Sequence, residues 1–287
     1  MSSPHLLLVV ALLCALIAAV AIFLRPYSFK GRRGNALLLV GPPDAGKTAI
    51  TSFLTFKQAL PTHTSLQVNE TQATFSSSST PKDRAFRIID VPGHPRIRSQ
   101  FSNYLGDARG IIFVVDTSNL ARSGPAVAEH LHIIMHALTS LPPTTHVPSL
   151  VILSHKSDLI SVPTSSSRSK IATDRVRSIL ERELEKRRLQ SVSGVGVGSL
   201  GDGTEKSAMS GEMGGEMGGL ECTGSEGFSF ETWEGGEATI IASSLKDGSG
   251  TSTVEKGNNS DSYEEARSYD MDGHGLGSLI EWIEDLQ

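Results

Sequence analysis

Charge is missing from the start of this chain: none of the first 24 of its 287 residues is Asp, Glu, Lys or Arg. Cysteine is nearly missing too. Cys14 sits inside that uncharged run and Cys222 in a Gly/Glu-rich segment, an arrangement that excludes a disulfide framework and fits a reducing compartment. The net charge of −5 gives no electrostatic basis for nucleic-acid binding, so no direct nucleic-acid contact is expected. Basic residues are scarce at the far end, where nineteen acidic side chains and four basic ones follow residue 200. Two lipidation signals are absent as well. Residue 2 is Ser rather than Gly, and the last residues, EDLQ, form no prenylation box.

What fills the uncharged start is Leu6 to Leu24, LLLVVALLCALIAAVAIFL. As a helix at ~1.5 Å per residue it spans roughly 29 Å, close to the ~30 Å hydrocarbon core, and a helix satisfies its own backbone polar groups in lipid. A cleaved signal peptide is the alternative, but it places positive charge before a shorter apolar core. Here Arg25, Lys30, Arg32 and Arg33 come after it. The positive-inside rule then predicts a short luminal N-terminus (1–5), a transmembrane helix (6–24), a basic juxtamembrane linker (25–35) and a cytosolic remainder.

Residues 36–287 alternate strand and helix patterns. Strands are expected at Ala36–Val40, Leu66–Phe75, Phe86–Asp90, Gly110–Asp116, Ser149–Ser154 and Ala238–Ser243, with 76–84 as a turn or loop. Helical stripes follow Gly46, then recur as Val127/Leu131/Ile134/Met135/Leu138, Val176/Ile179/Leu180/Leu184 and Leu276/Leu279/Ile280/Ile283. Ser278 and Glu281 have capping-box spacing. This alternation predicts an α/β domain with a mostly parallel, six-stranded sheet covered on both faces. Two stretches break the pattern, 190–236 with its GEMGGEMGG repeat and the Gly/Ser/Asp-rich 247–274. Both carry too little apolar surface to offset the entropy of ordering, and read as disordered insertions. Phe228, Phe230 and Trp233 are exceptions expected to dock locally.

The strongest motif is Gly41-Pro-Pro-Asp-Ala-Gly-Lys-Thr48, a full G-x-x-x-x-G-K-T between a strand and a helix, the context that marks a phosphate-binding P-loop. The nucleotide-contact candidates here are Gly41, Asp44, Ala45, Gly46, Lys47, Thr48 and Ala49. Lys47 is expected to reach the β- and γ-phosphates and Thr48 to ligate Mg²⁺. Asp90-Val-Pro-Gly-His94 ends a strand about fifty residues on. Asp90 suits Mg²⁺, Gly93 can donate its N–H to a γ-phosphate, and His94 stands where many GTPases place a water-orienting Gln. His155-Lys156-Ser-Asp158 follows another strand. The Asp158 carboxylate can accept from guanine N1–H and its exocyclic amine, a pair that adenine lacks, and the Lys156 stem can pack on the base. Ser243, Ser244 and Leu245 form a turn suited to the guanine oxygen. In Thr62-His-Thr-Ser65, Thr64 is the first choice for a Mg²⁺-ligating threonine and Thr62 the alternate.

Together these motifs resemble the Ras/Arf-type P-loop GTPase superfamily. With the apolar N-terminal helix, T-x-T-S and D-x-P-G-H, the chain resembles its signal recognition particle receptor beta-subunit branch. His155 departs from that pattern, in which Asn is usual. The resemblance implies GTP and Mg²⁺ as ligands and a single-pass location in the endoplasmic reticulum membrane. It also implies a GTP-dependent heterodimer with the receptor alpha subunit, which docks ribosomes indirectly through the signal recognition particle. Hydrolysis is expected to be slow or partner-stimulated. Three alternatives stay open: an Arf/Sar-like regulatory GTPase of membrane traffic, a constitutively GTP-loaded structural anchor, and an ATP-dependent P-loop protein. Segments 61–68 and 91–104 are expected to be ordered by the γ-phosphate. Phe101, Tyr104 and Leu105 then serve either as a partner surface or as plain core.

Overall fold

A computed structural model describes residues 34–58, 60–75, 84–161, 167–192, 218–224, 227–245 and 275–286. The expected span 6–24, the loop 76–83 and most of both insertions lie outside these residues. Among the described residues, no helix is long and apolar enough to cross a membrane.

Six strands form one sheet in the order β2-β3-β1-β4-β5-β6: β1 (Ala36–Val40), β2 (Asn69–Phe75), β3 (Arg84–Asp90), β4 (Ala108–Asp116), β5 (Ser149–His155) and β6 (Ala238–Ala242). Only the edge strand β2 runs antiparallel, to β3; the other pairings are parallel. The helices are α1 (Lys47–Phe56), α2 (Leu120–Thr139), α3 (Arg168–Val192) and α4 (Gly277–Asp285). A 3-10 segment, Arg98–Asp107, leads into β4. The fold class and the six-stranded, mostly parallel sheet read from the sequence are therefore observed.

Parallel strands covered on both faces read as continuous apolar runs, and β1 is ALLLV with every residue buried. Its side chains alternate between two cores. Ala36, Leu38 and Val40 join Phe113, Ile152 and the buried stripes of α2 and α3 on one face. Leu37 and Leu39 join Ile112, Leu153, α1 and α4 on the other.

Two expectations are corrected and one open alternative is decided. Phe228, Phe230 and Trp233 dock as expected, but more of the insertion is ordered than they alone implied: residues 218–224 and 227–236 form a strap against α2 and α3. Leu220, Phe228, Phe230 and Trp233 are buried in the first core. Trp233 Nε1 donates to the Gly219 carbonyl at 2.8 Å, and the Phe228 N–H donates to Glu185 on α3 at 2.7 Å. Four large apolar side chains spaced among glycines are enough to order the segment, where average composition suggested otherwise. α3 likewise continues through Val192. Secondly, Ser278 and Glu281 form no capping box. α4 starts after Leu276, without a side-chain cap, and the Leu276 carbonyl takes the Leu279 and Ile280 N–H groups instead. Of the two readings left open for Phe101, Tyr104 and Leu105, the core reading is the one observed: Phe101 and Leu105 are 1% and 6% exposed, with Tyr104 packed beside them. The 3-10 segment thus turns its apolar side inward rather than toward a partner.

Candidate functional site

The carboxyl ends of the parallel strands converge on one cleft of about 560 Å³, as ligand sites do in open parallel sheets. β1 leads into Gly41, β3 ends at Asp90, β4 at Asp116 and β5 at His155, and β6 runs into Ser243. The cleft is lined from the P-loop (Asp44, Gly46, Lys47, Thr48, Ala49), from Thr62–Ser65, from Gly93, and from His155, Lys156, Asp158, Leu159 and Leu245.

The P-loop owes its shape to close backbone approaches. Gly46 has φ 97°, and a Cβ there would lie 2.6 Å from His155 Cδ2. Only glycine meets both demands. Gly93 is equally constrained, since a Cβ would lie 2.4 Å from the Gly41 carbonyl oxygen. The second motif is thereby seated directly on the first. Ala45 is buried beneath the loop, and the α1 N-terminus opens toward the cleft, favouring negative charge there.

Lys47 is buried. Its Nζ donates to the carbonyls of Gly41 at 3.0 Å and Pro42 at 2.7 Å. Burial lowers its pKa to about 8, against the opposing pull of Asp90 and Asp44. Thr48 Oγ1 donates to Asp90 Oδ2 at 2.7 Å and lies 3.0 Å from Ser65 Oγ. The other carboxylate oxygen of the fully buried Asp90, Oδ1, has no hydrogen-bond partner among the described residues. A buried carboxylate oxygen without a donor is costly unless a ligand completes it.

The base-side motif is clamped on the P-loop. His155 is buried between Gly46 and Ser243, with Nδ1 3.0 Å from Ser243 Oγ. Burial, then the neighbouring Lys156, pushes its pKa down to about 4. Lys156 Nζ donates to the Asp44 carbonyl and to Asp116 Oδ2, each at 2.7 Å. Asp158 is half-buried at the cleft wall.

The predicted residues do not all converge. Thr64 lines the cleft, but its hydroxyl is turned to Asp44 Oδ1 at 3.3 Å; Ser65, not chosen from the sequence, has its hydroxyl beside Thr48. Leu245 faces the cleft, while Ser243 and Ser244 line a smaller depression behind it. Ser243 supports the site from there, accepting on its carbonyl from the Ser157 N–H and Oγ. His94 is exposed and accepts the Arg96 N–H on Nδ1 at 3.2 Å; it lies outside the cleft lining. Asp116 was missed, although an acidic residue closing the apolar run GIIFVVD at the carboxyl end of a strand was the available signal.

A P-loop opening a helix, a buried Asp at the end of β3 and a Lys/Asp pair at the end of β5 on this sheet define the GTPase fold. The family model described as "Signal recognition particle receptor beta subunit" matches residues 32–217. The chain belongs to that family. The human signal recognition particle receptor subunit beta is 31% identical over 154 residues, 52% of this chain and 55% of the relative. The chain spans about half the length of the curated relatives it matches. The fold is also that of the mammalian SRP receptor structure, with a TM-score of 0.57 and 20% identity over 88% of this chain and 100% of that one. It matches the SRb-GTP/SRX complex from Chaetomium thermophilum with a TM-score of 0.53 and 21% identity over 75% of this chain and 95% of that one.

Proposed function

We propose that the cleft binds GTP with Mg²⁺, and that the chain is the membrane-anchored, GTP-binding half of a signal recognition particle receptor. The observation that carries this reading is the orphaned Asp90 Oδ1, on a buried carboxylate bonded to Thr48, which lines the same cleft as Asp158. An oxygen-only donor set with a buried carboxylate suits a hard divalent cation, bound directly or through water. Thr48 and Asp90 would hold it, with Ser65 or Thr64 supplying a further hydroxyl. The ion, when bound, offsets the charge of the β- and γ-phosphates. Lys47 meets the same phosphates once it leaves its two carbonyl partners. The N–H groups of residues 44–49 face phosphate oxygens at the helix N-terminus, and Gly93 offers its N–H to the γ-phosphate. Asp158 selects guanine, and Lys156 packs along the base.

The test is nucleotide competition on the purified full chain in detergent. GDP and GTP are expected to displace a fluorescent guanine nucleotide at concentrations where ATP does not, and Asp158→Asn should transfer the preference to xanthine nucleotides. Displacement by ATP as effective as by GTP would replace this reading with that of an ATP-dependent protein.

One observation favours slow turnover. His94, the residue expected to orient water, is exposed, lies outside the cleft lining and must swing inward to act. Single-turnover hydrolysis by the full chain alone should therefore be slow, and a partner that reseats residues 91–97 should speed it. Rapid hydrolysis without a partner would remove His94's outward position from the account.

The Leu6–Leu24 run supports a single-pass anchor in the endoplasmic reticulum membrane with the GTPase domain cytosolic, and the SRX complex of the Chaetomium relative supports an alpha subunit as partner. Protease added to intact microsomes should digest residues beyond 34; protection of the domain would reverse the topology.

A further inference from the structure

The cation of Lys156 does more than lie in the cleft wall. Its Nζ bridges two segments, donating to the Asp44 carbonyl of the P-loop and to Asp116 Oδ2 at the end of β4, each at 2.7 Å. Lys156 and one of its two partners, Asp44, are unusual in backbone. Asp44 has φ 59° and Lys156 φ 57°, the left-handed region that non-glycine residues occupy only when their surroundings hold them there.

Asp116 is fixed from its other side. Its Oδ1 accepts from the Ser118 N–H at 3.0 Å, the Ser118 hydroxyl at 2.6 Å and the Asn119 N–H at 3.3 Å. One carboxylate thus joins the β4–α2 turn to the Lys/Asp loop, and through Lys156 to the P-loop. The ion pair is part-buried, with side-chain exposures of 31% for Lys156 and 20% for Asp116. Charge-assisted bonds of this length are stronger than neutral ones.

We propose that Asp116 is a positioning residue for nucleotide retention: by holding the Lys156 ammonium against the Asp44 carbonyl, it keeps the phosphate-binding and base-binding loops in register and slows release of bound nucleotide. This rests on the reading of the cleft as a guanine-nucleotide site. Asp116 itself touches no nucleotide. Its absence lets Lys156 rotate toward water, relaxes the two left-handed residues, and opens the cleft at its middle, between phosphates and base. Release quickens while the entrance, and so the association rate, stays as it was.

Asp116→Asn separates this role from folding. The amide oxygen can still accept from Ser118 and Asn119, so the turn into α2 is kept, whereas its –NH₂ cannot accept from Lys156. Ser118→Ala does the reverse, removing a turn contact and leaving the ion pair. The experiment measures dissociation and association rates of a fluorescent GDP from the full-length wild type, Asp116→Asn, Ser118→Ala, Lys156→Ala and the Asp116→Asn/Lys156→Ala double variant. Asp116→Asn is expected to raise the dissociation rate about tenfold or more with an association rate within about twofold. Ser118→Ala should match the wild type. The double variant should release no faster than Lys156→Ala alone, since both changes break the same bridge. A dissociation rate for Asp116→Asn within twofold of wild type, or additive effects in the double variant, overturns the positioning role and leaves the nucleotide site standing. Failure of the wild type to bind the probe overturns the site and this inference together.

Discussion

At the scale of single residues, the cleft is built from groups that are awkward until a ligand arrives. Lys47 spends its ammonium on two backbone carbonyls, and Asp90 keeps one buried oxygen bare. Lys47→Ala removes the cation that would meet the phosphates, and a hydrogen bond to a charged group is worth about 1.5–3 kcal/mol. GTP affinity in equilibrium titration should fall at least about tenfold; an unchanged affinity would place the phosphates elsewhere. Two buried histidines make a second prediction. Burial holds His155 at about 4, and burial with Arg98 and Lys47 nearby holds His130 at about 3. The unfolded chain takes up protons on both near pH 6.5 and the folded chain does not until much lower. Stability is therefore unaffected above about pH 7 and lost as pH falls from 6.5 toward 4, at up to roughly 1.4 kcal/mol per pH unit for each histidine. His130 packs edge-on to Phe113 with Nε2 unbonded. In urea titrations between pH 4 and 6, His130→Phe should lose about one proton's worth of that slope, and an unaltered slope would acquit this histidine. Most of the site was legible because the P-loop, D-x-P-G and Lys/Asp motifs carry their residues at fixed spacing. Ser65 was passed over for Thr64 and Thr62, because which hydroxyl turns toward Thr48 depends on the path of a loop with no periodicity. Asp116 was hidden because its role is set by a contact forty residues away in sequence.

At the scale of elements, strands and helices with strong apolar patterns came through intact. β1, β4 and β5 are central and carry the continuous buried apolar runs ALLLV, IIFVV and LVIL, so their sequences admit one reading. The strap at 218–224 and 227–236 was legible only in its aromatic anchors, because these are diluted by glycine and glutamate and no local period ties them together. Its order rests on the buried Leu220, Phe228, Phe230 and Trp233, with α3 offering Glu181 and Glu185 to the Phe230 and Phe228 N–H groups. Trp233 is the central anchor, buried against α2 with its indole N–H satisfied. Truncating a buried Trp costs about 3–5 kcal/mol. Trp233→Ala should lower the midpoint of thermal unfolding by several degrees or more, whereas a tethered insertion would tolerate the change without a measurable shift.

At the scale of the whole molecule, one cleft is bordered by two loop segments. Thr62–Ser65 enters from the loop after α1, and Pro92–Gly93 from the end of β3. A γ-phosphate that engages Gly93 and, through its metal, a hydroxyl at 64 or 65 ties both segments to one ligand. The apolar side chains available to a partner there are not Phe101 and Leu105, which are core, but those of the first segment. Leu66 is 77% exposed and Leu60 40%, flanking the hydroxyls that turn toward the cleft. A partner that binds only the ordered arrangement must raise GTP affinity by the factor by which GTP raises its own. A soluble alpha-subunit fragment should therefore be captured by the full-length protein in microsomes loaded with GTP, and at least about tenfold less with GDP, a coupling of roughly 1.4 kcal/mol. Leu66→Asp should abolish the capture while leaving GTP binding within about twofold, because Leu66 faces solvent and lies outside the cleft lining. Equal capture in both nucleotide states would mean that GTP supports the fold rather than gating the interface, and the constitutively loaded anchor would then be the better description.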